Sequence, residues 1–282
     1  MENSLRENRI LYSIRRAERI GFAVGNIPAV CENGLMKIID VGADNVAQTG
    51  FFCYMSKKKA PGYALKLRWL EKRFAEGMRI KMLALPERGF IEYIPGEYAW
   101  RPIEAKGFTV IHCLWVVGKS KGKGFGRALL DLCLEDAKRS GMKGVAMVTS
   151  EGNWLSGKKI LERAGFERVD SAPPSFSLMV KSFGKGPGPR FTGHWEEKAA
   201  RCGKGLTVIR TDQCPYIEDA TAMAVAGAEK AGVRHHVVTL ADCREIREKS
   251  PSAYGTFGLV FNGKLISYSY LLEKDLLPLL KD

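Results

Sequence analysis

The chain has 282 residues, with 44 Lys and Arg against 31 Asp and Glu, and so a formal charge of +13. An apolar fraction of 45% with 10% aromatics supplies a real core and excludes wholesale disorder, while the length suits two compact domains. No apolar run approaches the roughly 20 residues that cross a bilayer, and the start lacks the apolar core of a secretory signal. The expectation is therefore a basic, cytoplasmic protein with no membrane partner.

Residues 1–35 read as a polar leader with little core of its own, and the first convincing strand, MKIIDV, opens at Met36. From Pro61 to Gly77, Tyr63, Leu67, Leu70 and Phe74 recur at spacings of four, three and four, which predicts an amphipathic helix ended by Gly77. Strands follow at RIKMLAL, GFIEYIP and FTVIHCLWVV, divided by Pro and Gly. A helix carrying Phe125, Leu129, Leu132, Cys133 and Ala137 on one face stops at Gly141. Next come a buried strand, GVAMVTS, a helix, NWLSGKKILERAG, and two strands within FERVDSAPPSFSLMVKSF. The order β-α-β-β-β-α-β-α-β over residues 36–183 indicates an α/β domain with a mixed sheet flanked by helices.

The Gly/Pro-rich stretch 184–204 reads as a linker. Residues 205–282 form a second small α/β unit: strand GLTVIRT, a helix from Gln213 to Gly232, strand VRHHVVTL, helix ADCREIREKS, a hairpin turning at Asn262-Gly263, and a short last helix.

Residues 35–184 carry 25 basic and 15 acidic side chains, a surplus of ten that accounts for most of the total and directs any polyanionic partner to this segment. The seven cysteines form no C-x-x-C pair, and the four histidines show no ligand spacing, so neither a disulfide framework nor a metal site is expected. No recognition-helix or aromatic-basic signature supports nucleic-acid binding.

The most informative stretch is VVGKSKGKGFGRALL, residues 116–130, where a strand runs through glycines directly into a helix. Such a turn lets main-chain N–H groups converge at a positive helix end, an arrangement made for an anion such as a pyrophosphate. Lys119, Lys121, Lys123 and Arg127 add charge around it. Neither a Walker loop nor a dinucleotide fingerprint fits the spacing. Lys121-x-x-Gly124-x-Gly126 resembles instead the acetyl-CoA loop Q/R-x-x-G-x-G/A of the GNAT superfamily of N-acetyltransferases. The later Ala164-Gly165-Phe166 is similar to that superfamily's Gly-Phe at the end of the late helix. The segments GFFCYMSKKK, GFIEYIPGEYAWRP, IHCLWV and CPYI further resemble YoaP-type proteins, in which a GNAT domain precedes a small thioredoxin-like domain.

The resemblance implies acetyl transfer from acetyl-CoA to a primary amine of a small molecule or peptide, by direct attack. It implies cofactor contacts from Leu114, Val116, Val117, Lys121, Gly122, Lys123, Gly124, Phe125, Gly126, Arg127 and Asn153. Direct attack needs a group to take the amine's proton, and Glu92 is the first candidate with His112 second. The superfamily often places a Tyr four residues before the late Gly to protonate the leaving thiolate. Leu161 stands there, which turns attention to Tyr93 or Tyr98 and motivates an alternative, a non-catalytic acyl-CoA sensor. Helix 61–77 and loop 95–106 are expected to wall the acceptor site. Cys113, a strand thiol without a charged helper, reads as inert. Cys214, at a strand-to-helix junction, is the candidate for a thiol with lowered pKa. With Ile217 at the second motif position, only a single-thiol redox role would be open to it.

Overall fold

The computed structural model describes residues 26–31, 34–151 and 155–281. The first nine strands are β1 (Asn26–Cys31), β2 (Gly34–Val41), β3 (Arg79–Leu83), β4 (Gly89–Pro95), β5 (Ile103–Glu104), β6 (Thr109–Val116), β7 (Gly144–Ser150), β8 (Glu167–Ala172) and β9 (Phe176–Ser182). Eight of them make one sheet in the order β1-β2-β3-β4-β6-β7-β9-β8, antiparallel throughout except for the parallel pair β6 and β7. The helices of this unit are α1 (Val46–Thr49), α2 (Pro61–Phe74), α3 (Phe125–Arg139) and α4 (Lys159–Glu162). A parallel pair needs a crossover, and α3 supplies it.

The two sheet faces are covered differently. Phe125, Leu129, Leu132 and Cys133 of α3 pack on Ile91, Tyr93, Ile111 and Leu114. On the other face Phe90, Ile94, Val110 and Val148 join Trp69 and Leu70 of α2, and this core continues without a break into the C-terminal unit.

That unit contains β10 (Arg190–Phe191), α5 (Trp195–Ala200), β11 (Leu206–Arg210), α6 (Tyr216–Lys230), β12 (His235–Thr239), α7 (Cys243–Lys249), β13 (Phe257–Phe261), β14 (Lys264–Ser267) and α8 (Glu273–Leu276). Its sheet runs β12-β11-β13-β14, with β11 and β12 parallel and the other pairs antiparallel. The expected hairpin turn has Asn262 and Gly263 both at positive φ, 48° and 76°, as a type I′ turn requires.

Three expectations are corrected. The leader ends in structure, because β1 lies within it and pairs along β2; residues 1–25 lie outside the described residues. The stretch 184–204 is a packed strap: β10 pairs with β5, and Phe191 and Ala199 are buried. Those apolar residues, spaced among the glycines and prolines, anchor it. The late helix is only α4, four residues long, preceded by non-helical backbone at Ser156 and Gly157.

The two units touch closely. A Cβ added to Gly62, in the first turn of α2, would lie 2.1 Å from the Pro215 carbonyl oxygen, so only glycine admits this approach. Nearby, the Tyr54 hydroxyl donates to Asp219, and the Tyr54 and Tyr216 rings meet edge-on with centroids 4.4 Å apart.

Candidate active site

The sheet opens between β6 and β7. Pairing there covers only Thr109–Ile111 against Val145–Met147, although β6 runs on to Val116 and β7 to Ser150. Past Ile111 the strands part. The Leu114 carbonyl, on the side away from β4, accepts from the Ser156 hydroxyl, so Leu114 and, two residues on, Val116 turn their main-chain groups into the opening. Val117 does not: its N–H donates to the Arg88 carbonyl at 3.0 Å.

Beyond the opening, Gly118–Ser120 makes one 3-10 turn and the chain enters the glycine run. The Lys121 amide is taken by the Gly118 carbonyl at 3.2 Å. Among the described residues, none of the amides from Gly122 through Arg127 donates within the protein; the first helical amide to do so, Ala128, reaches the Gly124 carbonyl. Gly122 and Gly124 are left-handed, at φ +78° and +81°, and a Cβ on Gly122 would meet nothing within 4 Å. Six amides without an internal acceptor thus stand at the start of a 15-residue helix, where an anion can be held. Lys119 and Lys121 stand exposed beside it. Two expected contributors are otherwise engaged: Lys123 pairs with Glu87 at 2.8 Å, and the Arg127 Nε–H is shared between the two carboxylate oxygens of Asp131. Phe125 offers its amide only, since its ring is buried under the sheet.

A cavity of about 470 Å³ lies on the sheet face opposite α3. Phe52, Cys53, Lys66, Phe90, Glu92, Arg101, His112, Cys113, Trp115 and Val117 line it from the first unit, and Gln213, Cys214, Tyr216, Tyr254 and Thr256 from the second. Consecutive strand residues ordinarily point to opposite faces. His112 and Cys113 share the cavity because β6 is bulged: Glu92 pairs with Cys113 and Tyr93 with Ile111, leaving His112 as the extra residue.

Glu92 is 3% exposed, with Lys66 Nζ 2.7 Å from its Oε2 and His112 Nδ1 3.5 Å from its Oε1. Burial alone would raise this carboxyl, but Lys66 and His112 outweigh it and hold Glu92 well below the usual carboxylate range. The His112 Nε2 accepts the Trp100 N–H at 3.0 Å, which fixes its one proton on Nδ1, facing Glu92. Burial brings its pKa from 6.5 down to about 4, with Arg101 and Lys66 assisting and Glu92 opposing. At neutral pH Glu92 is therefore a carboxylate and His112 a neutral imidazole.

Arg101, 4% exposed, reaches the same space. It donates to the carbonyls of Trp100 and His112, to Gln213 Oε1 at 2.9 Å and to the Thr256 hydroxyl, and lies over the Tyr254 ring.

The remaining sequence candidates fall elsewhere. Tyr93 is on the α3 face, its hydroxyl bound to Asp136, because strand alternation turns it away from Glu92. Tyr98 is exposed outside the cavity. Leu161 is fully buried against α3. Asn153 lies outside the described residues. Cys214 does line the cavity, but desolvation raises its thiol to about 11, and the amide of Tyr216 only partly counters this; the expected lowering fails because the helix end is buried between units. Burial likewise raises Cys53 and Cys113.

Sequence reasoning missed Lys66, Arg101, Gln213, Tyr216, Tyr254 and Thr256. A signal existed for the first: Lys66 falls three after Tyr63 and four before Leu70, on the very stripe that predicts burial. Arg101, between Trp100 and Pro102, carries none.

Residues 62–166 match the acetyltransferase (GNAT) family. The "Uncharacterized N-acetyltransferase YoaP" of Bacillus subtilis (strain 168) is 33% identical over 241 residues, covering 84% of this chain and 95% of that one. Among solved structures, aminoglycoside 6'-acetyltransferase type Ii is 17% identical, with 53% of this chain and 99% of the other covered at a TM-score of 0.40. The PaiA N-acetyltransferase of Thermoplasma acidophilum in complex with coenzyme A is 14% identical, at 52% and 99% coverage and a TM-score of 0.38. The chain belongs to the acetyltransferase (GNAT) family and, as such, uses acetyl-CoA as its acyl donor. Among the described residues no group of His, Cys, Asp or Glu could hold a metal ion, and no helix is long and apolar enough to cross a membrane.

Proposed function

We propose that the protein acetylates a primary amine of a small molecule held in the cavity between its two units, the amine attacking the thioester directly. The observation that carries this reading is adjacency. The anion nest at Gly122–Arg127, the turned-out main chain of Leu114 and Val116, and the cavity with Glu92 all adjoin the same splayed strand, β6.

Acetyl-CoA supplies an activated acetyl group. The amides of Gly122 through Arg127 hold its diphosphate, Lys119 and Lys121 add long-range attraction, and Leu114 and Val116 bind the pantetheine as a strand would. In the transfer an N–C bond forms, the C–S bond breaks, the amine gives up a proton and the departing thiolate gains one. Glu92 receives the amine's proton, directly or through a water; Lys66 and His112 fix its position. A carboxylate held this low is a weak base, but it stays ionised and can accept a hydrogen bond from the neutral amine as that amine attacks. Tyr93 has no part in this.

The second unit is read as thioredoxin-like on its β11-α6-β12 crossover and antiparallel β13 and β14. Its function here is to close the acceptor cavity. A redox role is not supported by thiols raised through burial. The protein is read as cytoplasmic.

The test is thiol release from acetyl-CoA across a panel of amines. Amine-dependent release of CoA, abolished by Glu92→Ala, is expected. Tight acetyl-CoA binding with no release for any amine would make the protein a sensor instead.

A further inference from the structure

The charges that face the cavity do not cancel. Lys66 and Glu92 satisfy each other at 2.7 Å, and His112 is held neutral by its burial and by the Trp100 N–H. Arg101 is left over. Every hydrogen bond its guanidinium makes goes to a neutral acceptor: the carbonyls of Trp100 and His112, the amide oxygen of Gln213 and the hydroxyl of Thr256. It enters no ion pair among the described residues. Taking a guanidinium out of water without a counter-charge is costly, even after relaxation. Folded proteins rarely leave such a group so deep unless a partner arrives. The thiols around it, Cys53, Cys113 and Cys214, keep their protons and cannot serve.

We infer that Arg101 is the recognition site for a carboxylate on the acceptor, so that the substrate is a small amino acid-like molecule bearing both an amine and a carboxylate. The inference rests on the acetyltransferase reading of the same cavity and adds the acceptor's chemical class. The opposite charges bracket one residue. Glu92 faces the imidazole of His112, and Arg101 binds the same residue's carbonyl at 3.0 Å. An amine that attacks beside Glu92 and a carboxylate directed to Arg101 therefore fall within one small molecule. Arginine suits this task because a carboxylate can approach its Nε edge while Nη1 stays bonded to the protein. Gln213 and Thr256 both accept from the Arg101 Nη1, so the second unit helps set the orientation of the specificity group. Phe52, Phe90, Trp115 and Tyr216 make the rest of the wall apolar, which favours an apolar side chain on the acceptor.

The experiment compares L-methionine and L-phenylalanine with L-methioninamide and L-phenylalaninamide in the thiol-release assay. Each amide keeps the amine and side chain and lacks only the negative charge. Its amine is also the less basic, so a preference for the acid does not come from amine ionisation. The acids should exceed their amides by about 10- to 100-fold in kcat/KM, the loss expected for a charged hydrogen-bonding partner. Arg101→Met should remove the preference, Arg101→Lys should retain part of it, and acetyl-CoA affinity should be unchanged in both. Amides acetylated as well as acids would overturn the carboxylate assignment and leave the acetyltransferase reading standing. If no amine releases CoA, the transferase reading fails, and calorimetric binding of the same four compounds to the wild-type protein decides this inference alone. Tighter binding of the acids supports it; equal binding, or none, overturns it.

Discussion

Glu92→Gln is expected to destabilise the protein by roughly 3–5 kcal/mol and to lower kcat by about 100-fold or more. The variant is nearly isosteric, so the loss is electrostatic: Lys66, 3% exposed, would lose the one anion it pairs with among the described residues. The ring of Trp69, 4.3 Å from Lys66 Nζ, offers only weak compensation. Lys66→Met alone should be similarly costly, whereas the double variant should recover most of the stability, because removing both charges together leaves no buried ion without its partner. Urea unfolding of the four proteins checks this; additive losses in the double variant would contradict it. The same cluster sets a pH limit. The His112 pKa is lower in the folded protein, about 4, than the ordinary 6.5. Its contribution is therefore complete above pH 6.5 and is lost as pH falls from there toward 4, about 3 kcal/mol in all. Glu92, depressed in the fold, adds a further loss only below its ordinary range near 4.5. Urea midpoints should drop between pH 7 and 5, and His112→Gln should flatten that slope.

Gly124→Glu should weaken acetyl-CoA binding by at least about 100-fold. Gly124 caps α3 at φ +81°, where a residue with a Cβ costs about 1–2 kcal/mol. The added carboxylate also introduces a negative charge beside the amides that hold the diphosphate. The melting temperature should fall by only a few degrees, since the position is at the helix start and half-exposed. Calorimetric titration checks this, and an unchanged Kd in a folded variant would contradict it.

The sequence was most legible where chemistry is local. The Asn262-Gly263 turn, the α3 stripe and the glycine run each declare themselves within a few residues, because left-handed backbone and helical periodicity are properties of short segments. Glu92 and His112 could be nominated from strand context. Their shared orientation could not, since it depends on a bulge that only the pairing of β4 with β6 reveals. Tyr93 was misjudged for a related reason: adjacent to Glu92 in the chain, it lies across the sheet from it. The raised Cys214 thiol and the closure of the cavity by Tyr254 and Thr256 come from docking between units, and no periodicity within either unit encodes that contact. The misread linker belongs to the same class, because Phe191 and Ala199 find their partners far along the chain.

Amide hydrogen exchange over residues 118–130, with and without acetyl-CoA, tests the central claim most directly. Main-chain N–H groups of Gly122 through Arg127 that lack an internal acceptor should exchange fast alone and slow markedly with acetyl-CoA. Acetylpantetheine, which has the thioester and no diphosphate, should leave them fast. Unchanged exchange at these amides under saturating acetyl-CoA would mean that the glycine turn does not hold the donor.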